Sequence, residues 1–266
     1  MDEPKAIPFF QIVEEVIKNG NSDPDYLQKL DIFSSDFSNL TKCKEILDNE
    51  ENNIYIRTFA SQAIIKLTHL NISNWNIALA INLCDWSIEH MLKNCMRLEK
   101  IIFASLSNLV AFIFEYFWKM SNTDCMNEWN EIIQIFDNKP SEWVPALFLI
   151  SSINDRFIDS KEKIDELFAK NCLPTSFVLA YNCVKKIRNS THSYLEVILD
   201  MSLDIVERCI YKKIEVKDLH GITYEDQITF YFEIYNGFQN FSALKCLYAI
   251  VCTIYVLGPH DRPTII

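Results

Sequence analysis

Apolar residues recur every three and four positions along most of the chain, the period of one helix face. Between Asn52 and Leu70, the residues Ile54, Ile56, Phe59, Ala60, Ala63, Ile64 and Leu67 share one broad face. Ser73–Leu92 repeats the pattern with Trp75, Leu79, Leu83, Trp86 and Ile88, and Thr123–Asp137 does so with Met126, Trp129, Ile132, Ile133 and Phe136. Runs of strict alternation bounded by turn residues are nearly absent. Pro24, Pro140, Pro174 and Pro259 stand at apparent boundaries, because proline suits a first helical turn and breaks a helix interior. The spacing predicts helices over Pro8–Asn19, Pro24–Phe33, Asp36–Asn49, Asn52–Leu70, Ser73–Leu92, Arg97–Met120 and Thr123–Asp137. It predicts six more over Ser141–Asn154, Lys161–Ala169, Ser176–Arg188, Ser193–Tyr211, Tyr224–Gly237 and Phe241–Leu257. Asp36 is an expected N-cap, as is Thr123 or Asp124. Lys212–Thr223 reads as a longer, loose polar loop.

Most connections are short, as between antiparallel helix neighbours. Paired in order, the first helices begin near residues 52, 97, 141, 176 and 224, steps of 45, 44, 35 and 48. Three of the four steps lie in or beside the ~40–47-residue period of HEAT-type repeats. A helical bundle with short loops gives similar spacing. The expected fold is all-α, a HEAT-type helical-repeat superhelix (α-solenoid), laid out as a single array over residues 1–266.

Composition removes several functions. Four glycines in 266 residues, Gly20, Gly221, Gly237 and Gly258, are too few and too dispersed for a phosphate-cradling loop or a dinucleotide fingerprint. No GxSxG elbow exists either, so nucleotide-binding and α/β-hydrolase chemistry is not expected. With 25 basic and 36 acidic residues the net charge is −11, which disfavours nucleic acid and anionic membrane and favours a basic partner. Nine cysteines without a CxxC read as reduced, buried thiols of the cytosol or nucleus, with no zinc or disulfide framework. The start, MDEPKAIPFF, lacks the basic and apolar regions of a secretory signal. Ile101–Trp118 and Cys246–Leu257 are apolar, but polar insertions in the first and shortness of the second favour buried helices over membrane spans.

Leu27–Leu70 resembles the N-terminal signature of the importin-β superfamily. The matching residues are Lys42, Cys43, Ile46, Leu47, Tyr55, Arg57, Ala60, Ala63, Ile64, Lys66 and Leu67. LEKIIFASLSNLVAFIFEYFWKM, NEWNEIIQIF, SEWVPALFLISSIND and YEDQITFYFEIYNGFQNFSALKCLYAIVCTI look like successive helices of the exportin-seven (Ran-binding protein sixteen) branch. Proteins of that family are much longer, so the resemblance implies an N-terminal region of a longer chain. It implies a nuclear transport receptor, non-enzymatic and without cofactor or metal, that shuttles between cytoplasm and nucleus. The implied partners are the GTP form of the GTPase Ran, a protein cargo and nucleoporin Phe-Gly repeats. In the family, Ran sits on the concave face, chiefly on the second helix of each pair.

On that reading the Ran-facing residues are Asp36, Glu45 and Asp48 on one helix, Asn82, Asp85 and Glu89 on a second, and Glu128 and Glu131 on a third. Asn82, Asp85 and Glu89 share a face by spacing. Phe112, Phe114, Tyr116, Phe117 and Trp118 are too contiguous for one face, so their helix must be covered on several sides. Asn154, Asp155 and Glu162 approximate a terpene-synthase magnesium motif, but Ile158 replaces a hydroxyl ligand and no Asp-Asp pair exists. The five histidines are scattered and read as surface or satisfied core residues. The basic residues Lys185, Lys186 and Arg188 read as a solvated helix end.

Overall fold

The computed structural model describes residues 9–20, 22–97, 99–158, 165–189, 194–211 and 221–256. Among them there is no strand. The helices are α1 (Phe9–Ile17), α2 (Pro24–Phe33), α3 (Leu40–Asp48), α4 (Ile54–Asn71), α5 (Ile77–Lys93) and α6 (Lys100–Trp118). They continue as α7 (Asn122–Gln134), α8 (Pro140–Ile158), α9 (Glu166–Ile187), α10 (Leu195–Tyr211), α11 (Tyr224–Phe238) and α12 (Phe241–Val256). The expected Lys212–Thr223 loop lies mostly outside the described residues.

Starts follow local capping chemistry. Asn53 and Asn76 accept from the backbone N–H groups of Ile56 and Leu79, at 3.0 and 2.9 Å, and open α4 and α5. Asp36 does cap a helix, but a short 3-10 turn, Phe37–Asn39, that precedes α3. Neither Thr123 nor Asp124 caps α7; Ser121 holds that position, with its hydroxyl on the Asp124 carboxylate instead of the backbone.

The chain forms two compact units, Met1–Ile113 and Phe114–Ile266, dividing within α6. In the first, α1 packs on α2 and α4, and α3 packs on α4. Phe9, Phe33 and Phe59 meet there with ring centres 4.5–5.8 Å apart. His69 of α4 stacks on Phe112 of α6 at 3.7 Å. The deepest polar feature is Arg57 on α4, 2% exposed. Its Nε donates to the Leu47 carbonyl at 3.3 Å and its Nη1 pairs with Glu99, just before α6.

In the second unit α8, α10 and α12 pack successively on one another. On the other side, Trp129 of α7 meets Phe168 of α9, and Tyr181 of α9 meets Phe230 of α11 at 4.5 Å. Phe114, Trp118, Phe157 and Phe168 form the aromatic centre of this unit. Phe157 and Phe168 stack there at 4.0 Å.

One predicted boundary is wrong. Lys161–Ala169 and Ser176–Arg188 are not two helices: from Glu166 on, a single α9 runs through Pro174. The missing N–H and ring clash cost roughly 3 kcal/mol. Cys172, Leu173, Pro174, Ser176 and Phe177 are all buried, however, and helix packing at this site outweighs the local penalty. The fusion shifts the pairing. Helices in the even series begin at Ile54, Lys100, Pro140, Leu195 and Phe241, steps of 46, 40, 55 and 46. Starts of pairs at 176 and 224 are therefore replaced by starts at 195 and 241.

The core of α5 also departs from expectation. Ala80, Leu83, Cys84, Ser87, His90 and Met91 are buried, while Leu79 is 39% exposed and Trp86 and Ile88 are half-buried. Small residues permit closer helix approach than the larger apolar set would. The α4 expectation holds for every residue but Ile54, and Phe114, Phe117 and Trp118 are buried, with Phe112 and Tyr116 half-buried. By length and composition α6 passes for a membrane span, yet most of it is buried against protein.

Because Arg57 is a buried charge held by Glu99, breaking the pair should cost more than replacing it. Glu99→Ala should lower unfolding free energy by about 3–5 kcal/mol. The double variant Arg57→Met/Glu99→Leu should recover part of that loss. Urea melts of the three proteins check the order.

Candidate interaction surface

The eight acidic or amide residues expected to face a partner fall on four elements. Asp36 caps the 3-10 turn before α3 and is exposed. Glu45 and Asp48 lie on α3, both exposed. On α5, Asn82 and Glu89 are exposed and Asp85 is half-buried. Their shared outward face is the complement of the buried Leu83, Cys84, Ser87 and Met91. On α7 of the second unit, Glu131 is exposed and Glu128 half-buried.

The structure brings α3 and α5 together through side chains that periodicity alone does not connect. Asp48 accepts from His90 Nδ1 at 2.8 Å through one oxygen and from Trp86 Nε1 at 3.3 Å through the other. Lys44 Nζ sits 4.7 Å above the Trp86 ring. Partial burial lowers the Lys44 pKa, against the opposing pull of Asp48 and Glu89. The α3–α5 seam is thus a mixed strip: an ammonium over an indole, flanked by carboxylates.

His90 is the residue that sequence reasoning undervalued. Its side chain is 1% exposed, and a satisfied core histidine describes it well. Burial pushes its pKa below the ordinary 6.5, with the Asp48 hydrogen bond acting in the opposite direction. A neutral ring that donates from Nδ1 to the carboxylate leaves Nε2 as acceptor, 3.5 Å from Asn94 Nδ2. A carboxylate-oriented imidazole is also the geometry of a general base. Here the ring faces an amide inside the core, and the nearest α3 thiol, Cys43, is pushed up to about 12 by burial. The pair therefore serves to join two helices.

Other thiols behave alike. Cys125, Cys172, Cys183 and Cys209 are buried, and desolvation raises each to about 12. Such groups remain neutral thiols near pH 7 and lack nucleophilic character. The magnesium-like motif is likewise engaged: Asn154 Oδ1 accepts from Ser176 at 3.2 Å and Asp155 pairs with Arg208. Glu162 lies outside the described residues.

The basic cluster is not a bare helix end either. Arg188 pairs with Glu233 at 2.8 Å and covers Phe230 at 5.4 Å, while Lys186 lies 5.6 Å over Trp143. Arg188, Lys185, Asp226 and Glu233 line a cleft of about 430 Å³ between α9 and α11.

Polar contacts within each unit repeat a distance along the chain. In the first, Asp48–His90, Arg57–Glu99 and Glu50–Arg97 are 42, 42 and 47 residues apart. In the second, Glu115–Arg156, Arg188–Glu233, Asp200–Asn240 and Asp155–Arg208 are 41, 45, 40 and 53 apart. Each links a helix, or the residues flanking it, to the one two places later.

Protein-family models, curated proteins and solved structures all give no match to this chain.

His90 makes stability pH-dependent with a definite sign. Its folded pKa is depressed, so the unfolded chain binds the proton first. Stability should be full above pH 6.5 and fall as the pH drops below it. His90→Gln should flatten that slope, as read from urea midpoints between about pH 5 and 7.

Proposed function

We propose that this protein is a HEAT-type helical array that performs no chemistry and binds a basic protein partner on its acidic helix faces. The observation that carries the reading is the recurrence of side-chain contacts one helix pair apart, in each unit separately. Stacked pairs leave the outer faces of one series of helices free for binding. In the first unit, α3 and α5 touch and carry Glu45, Asp48, Asp85 and Glu89 on adjoining surfaces.

Joined to the resemblance of Leu27–Leu70 to the importin-β superfamily, this becomes a more specific proposal. The chain is the N-terminal region of a nuclear transport receptor of the exportin-like kind. It binds Ran in its GTP form, and that binding is coupled thermodynamically to a protein cargo held elsewhere. Shuttling between nucleus and cytoplasm, with contacts to nucleoporin Phe-Gly repeats, belongs to the same proposal. A second reading, an α-helical scaffold without Ran dependence, draws support from one feature of the seam. Asp48 is already bonded to His90 and Trp86, and Glu89 acts on Lys44.

One binding experiment separates the two. Immobilised chain should retain GTP-loaded Ran at least about tenfold better than GDP-loaded Ran, within the ordinary range of allosteric coupling. The variant Glu45→Lys/Glu89→Lys/Glu131→Lys should abolish the difference while leaving the helical circular dichroism intact. Equal retention of both nucleotide forms by the parent chain rejects the Ran reading and favours the scaffold.

A further inference from the structure

The cleft between α9 and α11 in the second unit has walls of opposite charge. Tyr181, Lys185 and Arg188 stand at i, i+4 and i+7 on one face of α9 and line one wall. Glu225, Asp226 and Glu233 of α11 line the other. Two of these carboxylates are already engaged. Glu233 accepts from Arg188 at 2.8 Å, and Asp226 accepts from the Thr223 backbone and hydroxyl at 3.0 and 2.7 Å. Lys185 and Glu225 are exposed and make no ion pair among the described residues. Each wall thus keeps one charge in reserve.

Tyr181 is the observation that points to a ligand. It is 7% exposed. Its ring packs on Phe230 at 4.5 Å and edge-on against Tyr231 at 6.3 Å, which fixes the phenol in place. The Tyr231 hydroxyl is sealed in the core, whereas Tyr181 lines the cleft. Among the described residues the Tyr181 hydroxyl has no hydrogen-bond partner. Burial raises its pKa above the ordinary 10; Asp226 pushes the same way and Arg188 opposes. The group therefore stays a neutral O–H near pH 7, within reach of the charges of both walls. A nearly buried hydroxyl left without a partner is costly, and a ligand that bonds it recovers the cost.

Charge decides the class of that ligand. A simple anion meets three carboxylates on the α11 wall, and a simple cation meets Lys185 and Arg188 on the α9 wall. A molecule with both signs is attracted by both walls. We propose that the cleft binds a small dipolar ligand of amino-acid type, its carboxylate on Lys185 and the Tyr181 hydroxyl and its ammonium on Glu225. The volume of about 430 Å³ is that of a small-molecule site. Neither α9 nor α11 carries any of the acidic residues assigned above to a protein partner, so this inference stands apart from the proposed function.

Ligand-observed NMR titration of the whole chain tests this with 6-aminohexanoate, hexanoate and hexylammonium, which share an alkyl chain and differ in charge. The zwitterion should bind with a dissociation constant of about 1 mM, and each singly charged analogue about tenfold more weakly. Tyr181→Phe and Lys185→Met should each weaken zwitterion binding about tenfold. The first removes one oxygen and the second an exposed charge, and an unchanged thermal midpoint shows that the fold is intact. Glu225→Gln should erase the preference over hexanoate, a change that a purely structural role does not produce. A peptide with one lysine and one glutamate side chain, blocked at both ends, separates the sources of the ligand. Tighter binding than 6-aminohexanoate assigns both charges to a protein chain, weaker binding assigns them to a free amino acid, and either upholds the proposal. Equal binding of the three alkyl probes, no zwitterion binding at about 20 mM, or a Lys185→Met or Tyr181→Phe variant that binds like the parent overturns it.

Discussion

A helix with a broad apolar face cannot cover it with its sequence neighbour alone. This constraint governs everything else in the molecule. In the second unit α10 is buried against α9, α8 and α12 together. Its Ile198, Leu199, Leu203, Ile205, Val206 and Cys209 are all nearly inaccessible. Burial on several sides gives each such helix more stabilisation than intrinsic propensity supplies. It also explains why a proline inside α9 is tolerated.

Polar side chains act within this constraint as clips that select the correct neighbour. Arg57 reaches from α4 to a backbone carbonyl in the last turn of α3 and to Glu99 before α6. Asp48 reaches from α3 to α5. Apolar packing tolerates many registers; a buried guanidinium or imidazole tolerates few, because an unmatched polar group in the core costs several kcal/mol. These clips join a helix, or the residues flanking it, to the next but one, while consecutive helices such as α3 and α4, α9 and α10, and α11 and α12 also pack together. Arg57 and His90 lie inside, whereas Asp48, Glu50 and Glu233 make their contacts from exposed positions.

The acidic residues separate along this line. Glu45, Asn82, Glu89 and Glu131 are on outward faces. Asp48 has a structural role that its position on the helix does not reveal. The aspartate and the exposed glutamates look alike in a helical-wheel reading. They differ because α5 brings an imidazole and an indole to within 3.3 Å of Asp48.

From the sequence alone, the helical class, most helix boundaries, the α4 core and the burial of the Phe112–Trp118 segment could be read. These follow from local periodicity, which is a property of one segment at a time. Burial of most of the cysteines was also legible, since most sit among apolar neighbours in the chain; Cys252 is only half-buried. The tertiary structure decided what depends on two segments at once. Continuity of α9 through Pro174 was invisible because the local penalty is outweighed by packing on other helices. That single fusion changed which helices share a series. The partnership of Asp48, Trp86 and His90 was equally hidden: the sequence places them about forty residues apart, and only the docking of α3 on α5 turns that separation into hydrogen bonds.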